Sequence, residues 1–256
     1  MISSHKSIEL EYYIKEGISP VHQDISNLNK HFQIRANLYR LLAYRLISKK
    51  DSMKKKTRIL EKAFFSHLNT LSSMSRSHKH WIQDSILNPH IYVGISTPRL
   101  FIKILNDKFV IHQSVPRFAT DWRWYKSLHG KQRKLNESFL AEYDTISHCM
   151  IDFRMDGVKR SIKKNEQLEK ICFDFATLAK DNENLGHGGY MKNVEPILSK
   201  IISNIEPDLP QASKKALYEV SALLKKKVVE IDDVAKMSEF SGFFGREQCY
   251  LSMTNG

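Results

Sequence analysis

The sequence predicts a mainly α protein: a helical chain with one or two short β-strands in its central region and no complete Rossmann-like sheet. Three observations predict this fold class. Glycine and proline number only 10 and 7 among 256 residues, too few for the turns of a β-sandwich or a doubly wound sheet. Apolar residues recur at three- and four-residue steps through most of the chain, the period of a helix with one buried face. Strand-like runs are short and confined to residues 91–95 and 109–112. A 41% hydrophobic and 10% aromatic composition is that of a globular protein with ample material for a core.

The chain reads as three regions. In the N-terminal helical arm, residues 1–50, a short helix over 7–15 ends at Gly17 and Pro20. Ser26 then reads as the N-cap of a long amphipathic helix, with Leu28, Phe32, Ala36, Tyr39, Leu42 and Leu46 on one face and Arg35, Arg40 and Arg45 largely off it. The central region, residues 51–130, opens with a helix carrying the stripe Ile59, Leu60, Ala63, Phe64, His67, Leu68 and Leu71. A further helix follows, with Ser75 or Ser77 as its cap and Asn88-Pro89 as its stop. Ile91 to Ile95 is a strand candidate, Pro98 suits the first turn of a helix, and Phe109 to His112 is the better strand candidate.

The C-terminal region, residues 131–256, is expected to be helical almost throughout. Its stripes are Leu135, Phe139, Leu140, Tyr143, Ile146 and Met150; then Val158, Ile162, Leu168, Ile171, Cys172 and Phe175. Val194, Ile197, Leu198, Ile201, Ile202 and Ile205 form a third, closed by Pro207 and Pro210, and Ala216, Leu217, Val220, Leu223 and Leu224 form a fourth. Gly186-His187-Gly188-Gly189 lacks the spacing of a phosphate-binding loop and reads as a flexible surface loop.

The formal charge of +12 is unevenly placed. From Lys30 to His80 there are thirteen lysines and arginines against two acids, Asp51 and Glu61. Such a run either attracts a nucleic acid or another anionic ligand, or is simply a solvated face. Cys149, Cys172 and Cys249 are far apart and form no CxxC pair, which points to a reducing compartment. The polar N-terminus has no signal-peptide core and no apolar run approaches a membrane span, so a cytoplasmic location and no transmembrane segment are expected.

All three tryptophans fall in two dense clusters, and these hold the candidate site residues. In the first, Arg76, His78, His80, Trp81 and Asp84 suit a phosphate or sugar-nucleotide ligand. On a helix Arg76 shares a face with His80, and Trp81 with Asp84. The same residues also suit a capped helix turn with one buried indole. In the second cluster, Asp121, Trp122, Arg123 and Trp124 suit stacking on a sugar or base, with Arg123 on a phosphate. They equally suit a helix start pinned to the core, with Asp121 as its cap. His78 and His80 are two apart and have no third ligand nearby, so no metal is expected.

Three segments resemble bacterial class I S-adenosylmethionine-dependent methyltransferase-like proteins. They are residues 18–24 with 31–42, the two tryptophan clusters, and Phe243-Phe244-Gly245-Arg246-Glu247-Gln248-Cys249-Tyr250-Leu251-Ser252. The resemblance implies a Rossmann-like cofactor domain between the first and second segments. That domain needs a glycine-rich turn, where a Cβ would block close approach of the backbone to the cofactor. No glycine occurs between Gly17 and Gly94, and no position matches the cofactor-binding motif. The resemblance therefore implies a degenerate or internally deleted methyltransferase-like protein, unable to transfer methyl groups alone. It would retain substrate-side helices or serve a core-containing methyltransferase-like partner. The alternative is a helical binding module for nucleic acid or another polyanion, working through the basic face from Arg35 to Lys79. S-adenosylmethionine is the cofactor that the resemblance implies, and this chain alone is expected to bind none. Titration calorimetry with S-adenosylmethionine and S-adenosylhomocysteine checks this: flat titrations are expected, and saturable micromolar binding would mean a cofactor site of another design.

Overall fold

Helix α1, Ile34–Leu46, runs through the protein with ten consecutive buried residues, Ile34 to Ala43. A computed structural model of the chain describes residues 34–70, 76–88, 98–99, 102, 109–115, 135–152, 155, 157–181, 186–243 and 250–255. The expected helix over 7–15, the Ser26 cap, the strand over 91–95 and Cys249 lie outside these residues.

The burial of α1 on all sides corrects the expectation that its arginines lie off the buried face. Arg35 and Arg40 are 7% and 0% exposed. A buried guanidinium is tolerable only when its donors meet acceptors. Arg40 donates through Nη1 to Asn37 Oδ1 at 2.8 Å, and through Nε and Nη2 to the Ser85 carbonyl at 3.0 and 2.7 Å. Arg35 lies over the Tyr39 ring, 4.9 Å from its centroid, and donates through Nη2 to the Tyr39 hydroxyl at 3.5 Å.

Helix α2, Met53–Asn69, starts at Ser52, whose hydroxyl accepts from the Lys55 N–H. It buries Thr57, Leu60, Ala63, Phe64, His67 and Leu68, five of them members of the expected stripe. Helix α3, His78–Ile82, is capped by Ser77 and widens into a π turn, Gln83–Leu87. It stops where Asn88 turns extended ahead of Pro89, as an X-Pro step requires. The Ser85 carbonyl that Arg40 clamps belongs to this π turn, where end-of-helix carbonyls lack backbone donors and carry the negative end of the dipole.

Strand β1, Phe109–Val115, contains the expected run. Its antiparallel partner is β2, Tyr250–Asn255, from the tail, so the 131–256 region is not wholly helical. Phe109 pairs with Asn255 and Val115 with Tyr250, with an irregularity between Ile111 and Gln113. On the other edge of β1, the Asn136 side chain accepts from the Ile111 N–H at 2.8 Å and donates to the Phe109 carbonyl at 2.9 Å. Among the described residues these two strands form the only sheet.

Asn136 belongs to α4, Leu135–Ile146, which tightens into a 3₁₀ turn at Ser147–Met150. Helix α5 follows at Ile162–Asp181. The glycine run then departs from expectation: His187–Gly189 is a helical turn, leading through a π turn at Tyr190–Val194 into α6, Glu195–Ile205. The buried Tyr190 and Val194 anchor it, and packing overrides the low helix propensity of glycine. A 3₁₀ turn at Glu206–Asp208, helix α7 at Gln211–Lys225, the short α8 at Ile231–Ala235 and a 3₁₀ turn at Phe240–Gly242 complete the order. The expected stripes hold through most of their length but fray at their starts, where Leu135, Val158 and Ile162 are exposed.

One apolar cluster joins α1 and α2 to β1, α4 to α8, Phe240 and Phe243. Tyr39 is the hub of its aromatic part. Its ring lies 4.8 Å from Phe240, 5.1 Å from Phe64, 5.7 Å from His67 and 5.8 Å from Trp81. His67 Nε2 lies 2.9 Å from the Val234 carbonyl, which only accepts, so Nε2 carries the proton and Nδ1 accepts from the Tyr39 hydroxyl at 3.1 Å. Burial holds the His67 pKa below the usual imidazole value, consistent with this neutral tautomer. Ser66 donates to Ala235 O beside it, so two α2 side chains satisfy the end carbonyls of α8. No helix among the described residues is long and apolar enough to cross a membrane.

Tyr39→Phe keeps the ring contacts but strands His67 Nδ1 without its donor. It is expected to lower stability by about 1–3 kcal/mol, measured by urea unfolding with an unchanged m-value.

Candidate functional site

The first tryptophan cluster divides between core and surface. Trp81 is half-buried against Tyr39, and its ring is part of the aromatic packing rather than a free platform. Arg76, His80 and Asp84 are exposed. Arg76 precedes the helix, so it does not share a helix face with His80 as expected. It pairs instead with Asp84 at 3.2 Å, both side chains more than half exposed. Such a pair contributes little to stability. His80 gives its backbone N–H to the Ser77 cap. Asp121, Trp122, Arg123 and Trp124 lie outside the described residues.

His78 is the member that the fold joins to something new. Its ring meets Phe65 of α2 edge-on, with centroids 6.0 Å apart and planes at 75°. Phe65 is 60% exposed although it is large and apolar. Glu61, Lys62, Phe65 and His78 line an open depression of about 480 Å³ between α2 and α3. Sequence reasoning missed Phe65. It sits next to the buried Phe64 and off the apolar stripe, so helical periodicity gives no reason to single it out.

The same exposed side of α2 is cationic. Lys54, Lys55, Arg58 and Lys62 are exposed, and Lys54, Arg58 and Lys62 recur at four-residue steps along one side. That row spans roughly 12 Å at 1.5 Å per residue. Lys55 pairs with Asp51 at 2.6 Å, and this contact together with the Ser48 N–H holds the Asp51 carboxyl below its usual pKa. Lys54, Lys55 and Lys56 stand in the first turn of the helix, which has no acidic residue. Cations there oppose the macrodipole, at a cost of about 0.3–1 kcal/mol each near a surface. Stability alone does not select such a placement, and local rules are broken most often at functional positions.

The basic face is smaller than the span from Arg35 to Lys79 that the sequence suggested. Arg35 and Arg40 are buried in internal bonds, and Arg45 donates to the Lys226 and Lys227 carbonyls, both at 2.8 Å. Among the described residues, the exposed cations that remain lie on α2, at Lys49 and Lys50, at Arg76 ahead of α3 and at Lys79 within it.

A second polar group, between α4, α5 and the turn after α6, is built for support. Arg160, with 6% of its side chain exposed, reaches Asp208 at 3.0 Å, Asn204 Oδ1 at 2.6 Å and the Asn204 and Lys164 carbonyls at 3.3 and 3.0 Å. Arg99 ties Asp144 at 2.6 Å to Glu166 at 3.4 Å. Next to Arg160, His148 Nε2 lies 3.8 Å from Cys149 Sγ, an arrangement that on composition alone suggests a nucleophile and its base. Burial and the Arg160 charge lower the His148 pKa to about 4, while burial raises that of Cys149. Both groups are held in their uncharged, unreactive forms. Nothing in the sequence distinguished Arg160 or Arg99 from surface cations. Among the described residues, no group of three or more His, Cys, Asp or Glu side chains is placed to hold a metal ion.

Compared with known proteins, the chain matches no family model, no curated protein and no solved structure.

His148 also makes stability depend on pH. Its folded pKa lies below the ordinary imidazole value, so between pH 6.5 and about 4 the unfolded chain binds a proton that the folded chain refuses. Its contribution is whole above that window and lost as pH falls through it, in all on the order of 3 kcal/mol. Urea titrations across the window are expected to show this loss, and His148→Gln to flatten it.

Proposed function

We propose that this protein is a helical binding module for polyanions, nucleic acid foremost, whose contact surface is the exposed side of α2 together with the start of α3. The observation that carries the reading is the exposed cationic row of Lys54, Arg58 and Lys62, without an ion-pair partner among the described residues, on a helix whose first turn is lysine against its own dipole. A phosphate chain lying along that row would meet three cations about 6 Å apart along the axis. It would also replace the solvent screening of charges that repel one another when bare. The methyltransferase-like resemblance adds no cofactor-binding residue to this surface, because no glycine occurs between Gly17 and Gly94 to match the cofactor motif.

Binding of this kind is dominated by counterion release. Anisotropy of a labelled oligonucleotide is expected to show an affinity falling linearly in log–log form with salt, by a slope of about 0.7–0.9 per neutralised phosphate. Combined Lys54→Glu, Arg58→Glu and Lys62→Glu substitution is expected to weaken binding at least tenfold. The same charge reversal at the exposed Lys163, Lys170 and Lys200, on α5 and α6, is expected to cost much less. Absence of binding at low salt, or equal losses from the two triple variants, would reject the reading.

A further inference from the structure

We infer that the depression between α2 and α3 is a stacking site for an unpaired base, so that the preferred ligand is single-stranded nucleic acid rather than duplex. This rests on the polyanion reading above and assigns the ligand class of the same surface. Three observations carry it. Phe65 holds 60% of its surface in solvent in the last third of α2, while its neighbour Phe64 is wholly buried. The His78 ring stands at 75° to it, 6.0 Å away, so the two rings form the floor and one wall of a notch. The cationic row of Lys54, Arg58 and Lys62 leads straight to that notch, because Phe65 lies one helical turn beyond Lys62.

The chemistry fits a base held by its face and a backbone held by its charge. An exposed phenyl ring presents a π surface that any base can stack upon, and a cationic track alongside it follows the phosphates. The depression is open to solvent, as a site that takes one face of a base from a longer strand needs to be. Glu61 on its rim is a hydrogen-bond acceptor that suits an N–H of a base, thymine N3–H included, and repels a bare phosphate. A duplex keeps its base faces stacked internally and cannot offer one to Phe65 without paying the cost of unstacking. A sulfated polysaccharide offers charge but no planar face.

The test compares four probes by anisotropy or competition: an oligothymidylate of about 16 nucleotides, an abasic oligomer of the same length and charge, a duplex, and heparin. The expected result is that Phe65→Ala weakens oligothymidylate binding by about 5- to 100-fold while leaving the abasic oligomer, the duplex and heparin within twofold. Phe65→Trp is expected to restore oligothymidylate affinity. The exposure of Phe65 means that its truncation opens no cavity, and an unchanged urea midpoint verifies this. If Phe65→Ala leaves oligothymidylate binding unchanged, or weakens all four probes alike, the stacking site is overturned while the polyanion reading stands. If the unmodified protein binds none of the four at low salt, it is the polyanion reading itself that fails.

Discussion

An arginine-bearing helix at the centre of the fold imposes one constraint on what surrounds it: the buried polar groups of α1 need partners, and α1 supplies only some of them itself. Arg40 draws in the Ser85 carbonyl and so fixes where the α3 turn docks. Tyr39 draws in His67 and, through it, the Val234 carbonyl of α8. Removing any of these partners would leave a desolvated donor or acceptor, which costs more than the bond itself returns. The result is a polar scaffold inside an apolar cluster, linking segments nearly two hundred positions apart in sequence.

This internal use of cations explains the charge pattern of the surface. The run from Lys30 to His80 reads as uniform in sequence, but the fold sorts it into two populations. The arginines of α1 become structural, bound to carbonyls and to a ring face, as the planar guanidinium suits. Lys54, Lys55 and Lys62 of α2 stay outside with Arg58, and Lys55 pairs with Asp51. The arginines of α1 thus serve the interior, while Arg58 and the exposed lysines of α2 keep their charge at the surface.

Much of the helical framework was legible. The α2 stripe, the Ser77 cap and the Asn88-Pro89 stop are local signals, set by side-chain periodicity and by what proline permits at its neighbour. The burial of Arg35 and Arg40 was not legible, because it depends on acceptors that only the tertiary fold delivers. The same holds for β2, whose strand character comes from pairing with β1 rather than from its own alternation. At the candidate site, His78 was singled out together with neighbours close to it in sequence. Its partner Phe65 lies on another helix, and sequence spacing is blind to contacts of that kind. Trp81 conversely has a signal that the core explains.

The Asn136 amide has a bearing on how copies of this chain behave toward one another. A two-stranded ribbon exposes edges whose free N–H and C=O groups invite strands from other molecules. By occupying the Ile111 N–H and the Phe109 carbonyl, Asn136 blocks strand addition at that part of β1. A single amide on a helix thereby satisfies backbone groups of β1 that a third strand would otherwise have to meet.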